Sequence, residues 1–217
     1  MILIYNCQCL IRMRRIYFLV EMILPTWWSF RPKVFLLKGK SDMTQTAQQM
    51  DKETVRARLQ ENPGVILEAL ARNIGFSMAE LIELLPEEMW KWTDGSRFIE
   101  IMQMLSKLGK MTLVMNTPDV IMEFSGDIPS GSESNGFYNL DVKSPMHGHV
   151  RAGNCKSVYL VERPFMKSQT LSIQFMNEAG EVMFKVFAGR DEKRELIAEQ
   201  VKALRSIFQD ASVGVTA

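Results

Sequence analysis

The chain has 217 residues, 47% apolar and 24% charged, with a formal net charge of +1; this is long enough for one substantial core and too apolar for a disordered polymer. The balance hides an asymmetry: residues 1–42 carry seven Lys or Arg against Glu21 and Asp42, a net of +5, whereas residues 43–217 carry 19 basic and 23 acidic side chains, a net of −4. A mildly acidic body argues against broad nucleic-acid binding, which needs a basic face, and three cysteines, with Cys155 alone in the body, argue against a disulfide framework and suit a reducing cytoplasm.

Residues 1–42 mix apolar runs with Arg12, Arg14, Arg15, Lys33 and Lys38. Their charge-free runs, 1–11 and 22–30, are far shorter than the roughly 20 residues of a membrane-spanning helix, so no membrane span is predicted. The apolar block precedes the arginines and no small-residue cleavage site follows, unlike a secretory signal. From Met43 the texture turns polar. Residues 1–42 are therefore read as an upstream extension, disordered or non-native, joined to a protein that begins at Met43. The alternative is an amphipathic membrane-surface anchor using Trp27, Trp28 and the basic residues.

Three short helices are predicted next, over 51–61, 63–74 and 77–85, with Pro63 in a first turn and Gly75 as a stop. Ser77-Met78-Ala79-Glu80 is a capping-box pattern, the Ser77 hydroxyl facing the amide of Glu80 while Glu80 reaches back. A fourth helix is predicted over 96–108, with Phe98, Ile101, Met102, Leu105 and Leu108 as its apolar stripe before Gly109. Beyond Gly109 the period changes to two. Strands are expected over 111–116 and 119–124, then over 137–142 after the turn-rich run 129–136. Longer strands are expected over 156–162, 170–176 and 182–187, with Asn177-Glu178-Ala179-Gly180 as a hairpin turn. A final helix is predicted from Asp191, as N-cap, to about Phe208, with Leu196, Gln200, Leu204 and Ile207 on one stripe.

Helices, then an antiparallel sheet, then a covering helix define an α+β domain. The expected division is a helical N-terminal subdomain over 43–109, a β-rich subdomain with its C-terminal helix over 110–208, and a flexible tail over 209–217. Residues 67–85 also have the outline of a helix-turn-helix. The second helix and its exit carry Glu80, Glu83, Glu87 and Glu88 with Lys91, a charge pattern that opposes approach to phosphates. The pair is read as a helical subdomain packed on the sheet or on a partner.

No Gly-rich phosphate loop, nucleophile elbow, CxxC pair or HExxH helix occurs, so no catalytic residue is assigned. Both histidines of the chain lie in Pro145-Met146-His147-Gly148-His149-Val150. In an extended segment side chains two apart share a face, so His147 and His149 are expected to look into a common space. Imidazole is a ligand for iron, zinc and copper, which makes this the candidate metal site. Two surface histidines beside a turn would have the same spacing.

The segments 112–126, Ile128-Pro129-Ser130-Gly131, Gly136-Phe137-Tyr138-Asn139-Leu140, Met146-His147-Gly148-His149, Asn154-Cys155, Glu162-Arg163-Pro164-Phe165-Met166 and Phe187-Ala188-Gly189-Arg190-Asp191 resemble, in this order, the HutX/ChuX family of intracellular haem utilisation proteins. The resemblance runs from about Gln60 to Phe208. It implies a cytoplasmic haem carrier that accepts haem from an import system and passes it to a haem-degrading enzyme. It also implies a homodimer whose protomer is similar to one half of the duplicated HemS/ChuS proteins. A haem-degrading enzyme is the alternative reading, and a helix-turn-helix regulator or adaptor a more distant one.

Under that resemblance the family histidine of the M-x-G-H segment matches His149, the expected axial ligand of the haem iron. A second family histidine, in a V-H-T-x-D-V pattern, falls on Asn116. An amide is a poor ligand for ferric haem beside imidazole. His147 is the candidate substitute as a second metal ligand, Met115 neighbours the position but points to the opposite face, and Asn116 is a candidate partner for an iron-bound water. A porphyrin needs an apolar slot and cations for its propionates. Phe124, Phe137, Tyr138 and Val150 are candidates for the slot, Arg151 and Lys143 for the propionates.

Overall fold

The computed structural model describes residues 50–209; the expectations for residues 1–42 and for the tail after Gln209 lie outside them. Three helices open the described chain: α1 (Lys52–Glu61), α2 (Leu67–Ile74) and α3 (Met78–Glu83). Asp51 caps α1 by accepting from the Thr54 amide, and Ser77 and Glu80 form the complete capping box on α3, so both N-termini satisfy otherwise orphaned amides. Gly75 ends α2 at φ 74°, a left-handed conformation that glycine takes without steric cost.

The second helix begins four residues later than expected. Pro63 lies in a turn instead, because the Arg163 guanidinium draws the carbonyls of Pro63 and Val65 onto itself at 2.5 and 2.9 Å. Two charge-assisted bonds hold those carbonyls away from a helical ladder.

A six-stranded antiparallel sheet has the order β1-β7-β8-β9-β2-β3, formed by β1 (Trp90–Asp94), β2 (Lys110–Asn116), β3 (Ile121–Asp127), β7 (Cys155–Phe165), β8 (Ser168–Asn177) and β9 (Val182–Phe187). A second antiparallel sheet has the order β4-β5-β6, from β4 (Gly131–Ser134), β5 (Phe137–Leu140) and β6 (His149–Val150). Strand alternation divides the large sheet into two covered faces. On one face Leu113, Val158, Leu160, Ile173, Phe175, Phe184 and Val186 join α4 (Phe98–Leu105) and α5 (Ala198–Ser206) in one core. On the other Tyr159, Val161 and Met176 join α1, α2 and α3 in a second core. The observed mixture of helices and antiparallel sheet is the expected α+β class.

Phe98 at the start of α4 is the hub of the first core. Its ring stands edge-on to Tyr138, Phe175 and Phe184 at 5.7, 5.1 and 6.1 Å between centroids, the geometry favoured by aromatic quadrupoles. Through Tyr138 this contact fastens the small sheet to α4.

Three further elements differ from the sequence expectation. Residues 90–94 form β1, paired along its length with β7, inside the segment read as helical. The turn-rich run contains β4, paired from Gly131↔Leu140 to Ser134↔Phe137. The last helix starts at Ala198, not at Asp191. Asp191 accepts instead from the amides of Lys193 and Glu195, and Arg190 bridges to Leu196. Leu196 therefore precedes the helix, while Gln200 and Leu204 are buried on it.

Candidate functional site

The small sheet brings four side chains of the histidine region together. Asn139 of β5 lies opposite His149 of β6, and the Nδ1 of His149 is 2.6 Å from the Asn139 Oδ1. Phe137, two residues before Asn139 and so on the same face, stands edge-on to the His149 ring with centroids 5.9 Å apart. The Arg151 guanidinium lies 4.7 Å from the centroid of the Phe137 ring, within cation–π range. His149 is exposed. With Nδ1 held by Asn139, Nε2 is the ring nitrogen left to meet a ligand.

His147 does not join this group through strand alternation. The strand is confined to His149–Val150, and Gly148 has φ 151°, a backbone conformation L side chains rarely adopt. The premise of a regular extended segment, which put both histidines into one space, does not hold. The His147 Nδ1 donates to the Ser144 carbonyl at 3.0 Å, a bond within the preceding turn.

Tyr138 is a core residue and not a surface wall. It is fully buried among the residues around Phe98, and burial pushes its phenol above the ordinary value. Its position follows from period two: Tyr138 alternates with Phe137 and Asn139, so placing those two beside His149 turns Tyr138 inward. Val150 is half-buried and packs against the same core. Phe124 belongs to β3 of the large sheet. Lys143 is exposed in the turn before the histidines, its amide donating to Asp141.

Asn116 and Met115 end β2 on the large sheet. Met115 follows Met111 and Leu113 in alternation, lies opposite Met122 and is 41% exposed. Asn116 has the opposite orientation and lines a cavity of about 550 Å³ with Glu68, Arg72, Glu181 and Lys185. His149 is not part of that lining. The physical reason is the two-faced sheet: Asn116 is on the side of α1, α2 and α3, whereas the small sheet packs into the opposite core.

Asn139 is the site residue that sequence reasoning missed. Its signal is a residue disfavoured in strands at the centre of a short strand, between Tyr138 and Leu140. The two hydrogens of its amide nitrogen are shared among three carbonyls, of Ser132, Ser134 and Phe137, at 3.3, 3.1 and 3.2 Å. Among the described residues no cluster of three His, Cys, Asp or Glu side chains could hold a free metal ion, and no helix is long and apolar enough to cross a membrane.

A small sheet that presents one exposed imidazole, fastened over a two-faced antiparallel sheet, defines an α+β protein with a candidate ligand site at His149. The sequence matches the family Haem utilisation ChuX/HutX over residues 92–207, and the chain belongs to this family. It is 34% identical over 158 residues to the intracellular heme transport protein HutX of Vibrio cholerae, covering 72% of this chain and 82% of that one. A crystal structure of ChuX is similar with 37% identity and a TM-score of 0.66, covering 70% of this chain and 94% of the other. Similarity to ChuS, described as an E. coli heme oxygenase, is one of fold: 13% identity and a TM-score of 0.60, with 73% of this chain matched to 49% of that one. The chain thus has the fold of about half of ChuS.

Proposed function

We propose that this protein binds haem as a carried cargo and hands it on, with His149 as the axial ligand of the iron. The observation that carries this reading is the His149 imidazole, in a chain of the ChuX/HutX family, exposed on an edge strand with one ring nitrogen committed to Asn139 and the other open. A relative named as an intracellular heme transport protein and solved structures of ChuX support haem as the ligand, carriage as the role and the cytoplasm as the location. Iron ligation by a neutral imidazole nitrogen is ordinary haem chemistry. Arg151, two residues after His149 and placed over the Phe137 ring, is the candidate cation for a propionate.

The face that carries His149 is open, and a porphyrin is held best when most of its surface is covered. A homodimer, with the second wall supplied by another copy, fits that geometry. The haem-holding part is assigned to residues 110–208, with α1, α2 and α3 covering the other face of the large sheet. His149 is preferred to His147 because His147 lies in the turn and not on the strand beside Asn139 and Phe137; the Nδ1 bond of His147 to Ser144 leaves its Nε2 open as well, so His147 is the alternative ligand. Haem reaches the protein from an import system and leaves to a haem-degrading enzyme.

The test is a titration of the full chain with ferric haem, following the Soret band for wild type, His149→Ala and His147→Ala. Saturation with a spectrum altered chiefly by His149→Ala is the expected result. Saturable binding that is indifferent to His149 overturns the ligand, and loss of the band with product formation on adding a reductant overturns carriage in favour of haem breakdown.

A further inference from the structure

The nitrogen that would meet iron is Nε2 of His149, and its availability is decided at the other end of the ring. The contact of Nδ1 with Asn139 Oδ1, at 2.6 Å, is compatible in principle with either amide orientation. The surroundings of Asn139 decide between them. Its other amide atom lies among the carbonyl oxygens of Ser132, Ser134 and Phe137 at 3.1 to 3.3 Å. Carbonyl oxygens accept only, so the NH2 group must face them. The reversed amide would set a fourth oxygen against three and forfeit every one of these bonds. Oδ1 therefore faces the ring, and because it accepts only, Nδ1 must carry the proton. A neutral ring protonated at Nδ1 has its lone pair on Nε2.

We propose that Asn139 is a positioning residue that holds His149 in the Nδ1–H tautomer and aims its unprotonated Nε2 outward as a ready ligand. The proposal rests on the reading of His149 as axial ligand for its purpose, but its physical content belongs to the ligand-free protein. An unconstrained neutral histidine favours the other tautomer, with hydrogen on Nε2, which has to be lost before iron can bind. Asn139 removes that step. The pairing of β5 with β6 sets the two side chains opposite each other, and the edge of Phe137 limits rotation of the ring. The amide also strengthens the iron–nitrogen bond when iron is present, since a hydrogen bond from the distant ring N–H raises ligand basicity.

The experiment has two independent arms. In the first, the ring nitrogens of the haem-free, 15N-labelled full chain are observed at a pH where both histidines are neutral, with His147→Ala providing the assignment. The expected result is a protonated Nδ1 and a bare Nε2 on His149, together with slow exchange of the Asn139 side-chain amide protons. Asn139→Val, which suits a strand but cannot accept a hydrogen bond, should move His149 toward the Nε2–H form. A wild-type His149 protonated at Nε2, or a tautomer unmoved by Asn139→Val in a folded protein, overturns the proposal. The wild-type measurement alone can do so if Asn139→Val does not fold. In the second arm, the iron–histidine stretching band of the ferrous haem complex is expected at lower frequency in Asn139→Val than in wild type. Absence of that band in wild type removes the ligand reading while leaving the tautomer result standing, so the two failures are distinguishable.

Discussion

Lys185, in the middle of β9, and Glu68, in the first turn of α2, form an ion pair buried between sheet and helix, their side chains 7% and 19% exposed. The pair lies on the same sheet face as Arg163, whose guanidinium ties the carbonyls of Pro63 and Val65. Two cations of the sheet thus hold the segment 63–68. Removing one partner of a buried pair leaves an uncompensated charge, which costs about 3–5 kcal/mol, whereas apolar replacement of both is often close to neutral. Lys185→Met is therefore expected to destabilise by about that amount in urea unfolding, and Glu68→Leu/Lys185→Met to recover most of the loss. A double variant as unstable as the sum of its singles would mean that the two side chains do not act as a pair.

The same pair sets an acid dependence. Burial pushes the Glu68 carboxyl up, but the charge of Lys185 and its hydrogen bond outweigh burial and hold it below its ordinary value of 4.5. A carboxyl whose folded value is depressed contributes stability above its unfolded value and loses that contribution as pH falls through the folded one. In Lys185→Met burial, the largest influence on the carboxyl, is opposed by only the weaker effects of its own backbone amide and of Arg163, so protonation of Glu68 relieves the folded state. The stability gap between wild type and Lys185→Met is expected to be full at high pH, to begin narrowing above pH 4.5 as Glu68 of the variant takes up its proton, and to narrow further below 4.5 as the wild-type carboxyl protonates. A gap that is constant with pH, followed by urea midpoints, would locate the loss in packing and not in charge.

Gln200 joins three elements at once. Its amide nitrogen donates to the carbonyls of Leu108 and Lys110 at 2.8 and 3.0 Å, and its oxygen accepts from the Gly189 amide at 2.6 Å. The side chain is 2% exposed, so water cannot replace it. Gln200→Leu keeps the volume and orphans three backbone groups. With a penalty of about 1–3 kcal/mol for a buried unsatisfied group, a loss of at least about 2 kcal/mol is expected, with faster amide exchange at Gly189. Unchanged exchange there would show that the loop is held by something else.

How much of this was legible in the sequence depended on whether the deciding contact was local. Ser77 and Glu80 are three residues apart, and the capping box they announce is present as read. Phe98, Ile101, Met102 and Leu105 of the helical stripe and the long strands of the sheet are likewise where period alone puts them, whereas Leu108, expected on the same stripe, lies past the end of α4. The start of α2 was not legible, because Arg163, a hundred residues away, unwinds the turn after Pro63. The alternation Trp90-Lys91-Trp92 carried the signal for β1, but its partner β7 is remote in sequence. Of the histidines, position identified both, while geometry separated them. Only the backbone angle of Gly148 shows that the chain turns between His147 and His149. Lys185 within Val182-Met183-Phe184-Lys185-Val186-Phe187 was a visible anomaly whose partner, Glu68, no spacing could supply.

Cys155, in contrast to the histidines, is placed to be inert. It is 8% exposed at the start of β7, and burial pushes its thiol up to about 11, partly offset by the backbone of Met176. Since the thiolate is the reactive form and an ordinary cysteine has a value of about 8.5, the thiolate fraction at about pH 8 should fall from roughly a quarter to about one in a thousand. A bond from Sγ to the Ser157 carbonyl at 3.6 Å further favours the protonated thiol. In a Cys7→Ser/Cys9→Ser background, where the signal belongs to Cys155 alone, a disulfide reagent at that pH is therefore expected to react slowly with the native protein and quickly in denaturing urea. The native rate should follow the unfolding equilibrium and slow in proportion as stability rises. A thiol that reacts within mixing time under native conditions would require β7 to open locally beside Gly95, whose Cα packs so closely on the Cys155 backbone that a Cβ there would come within 2.2 Å of its carbonyl oxygen.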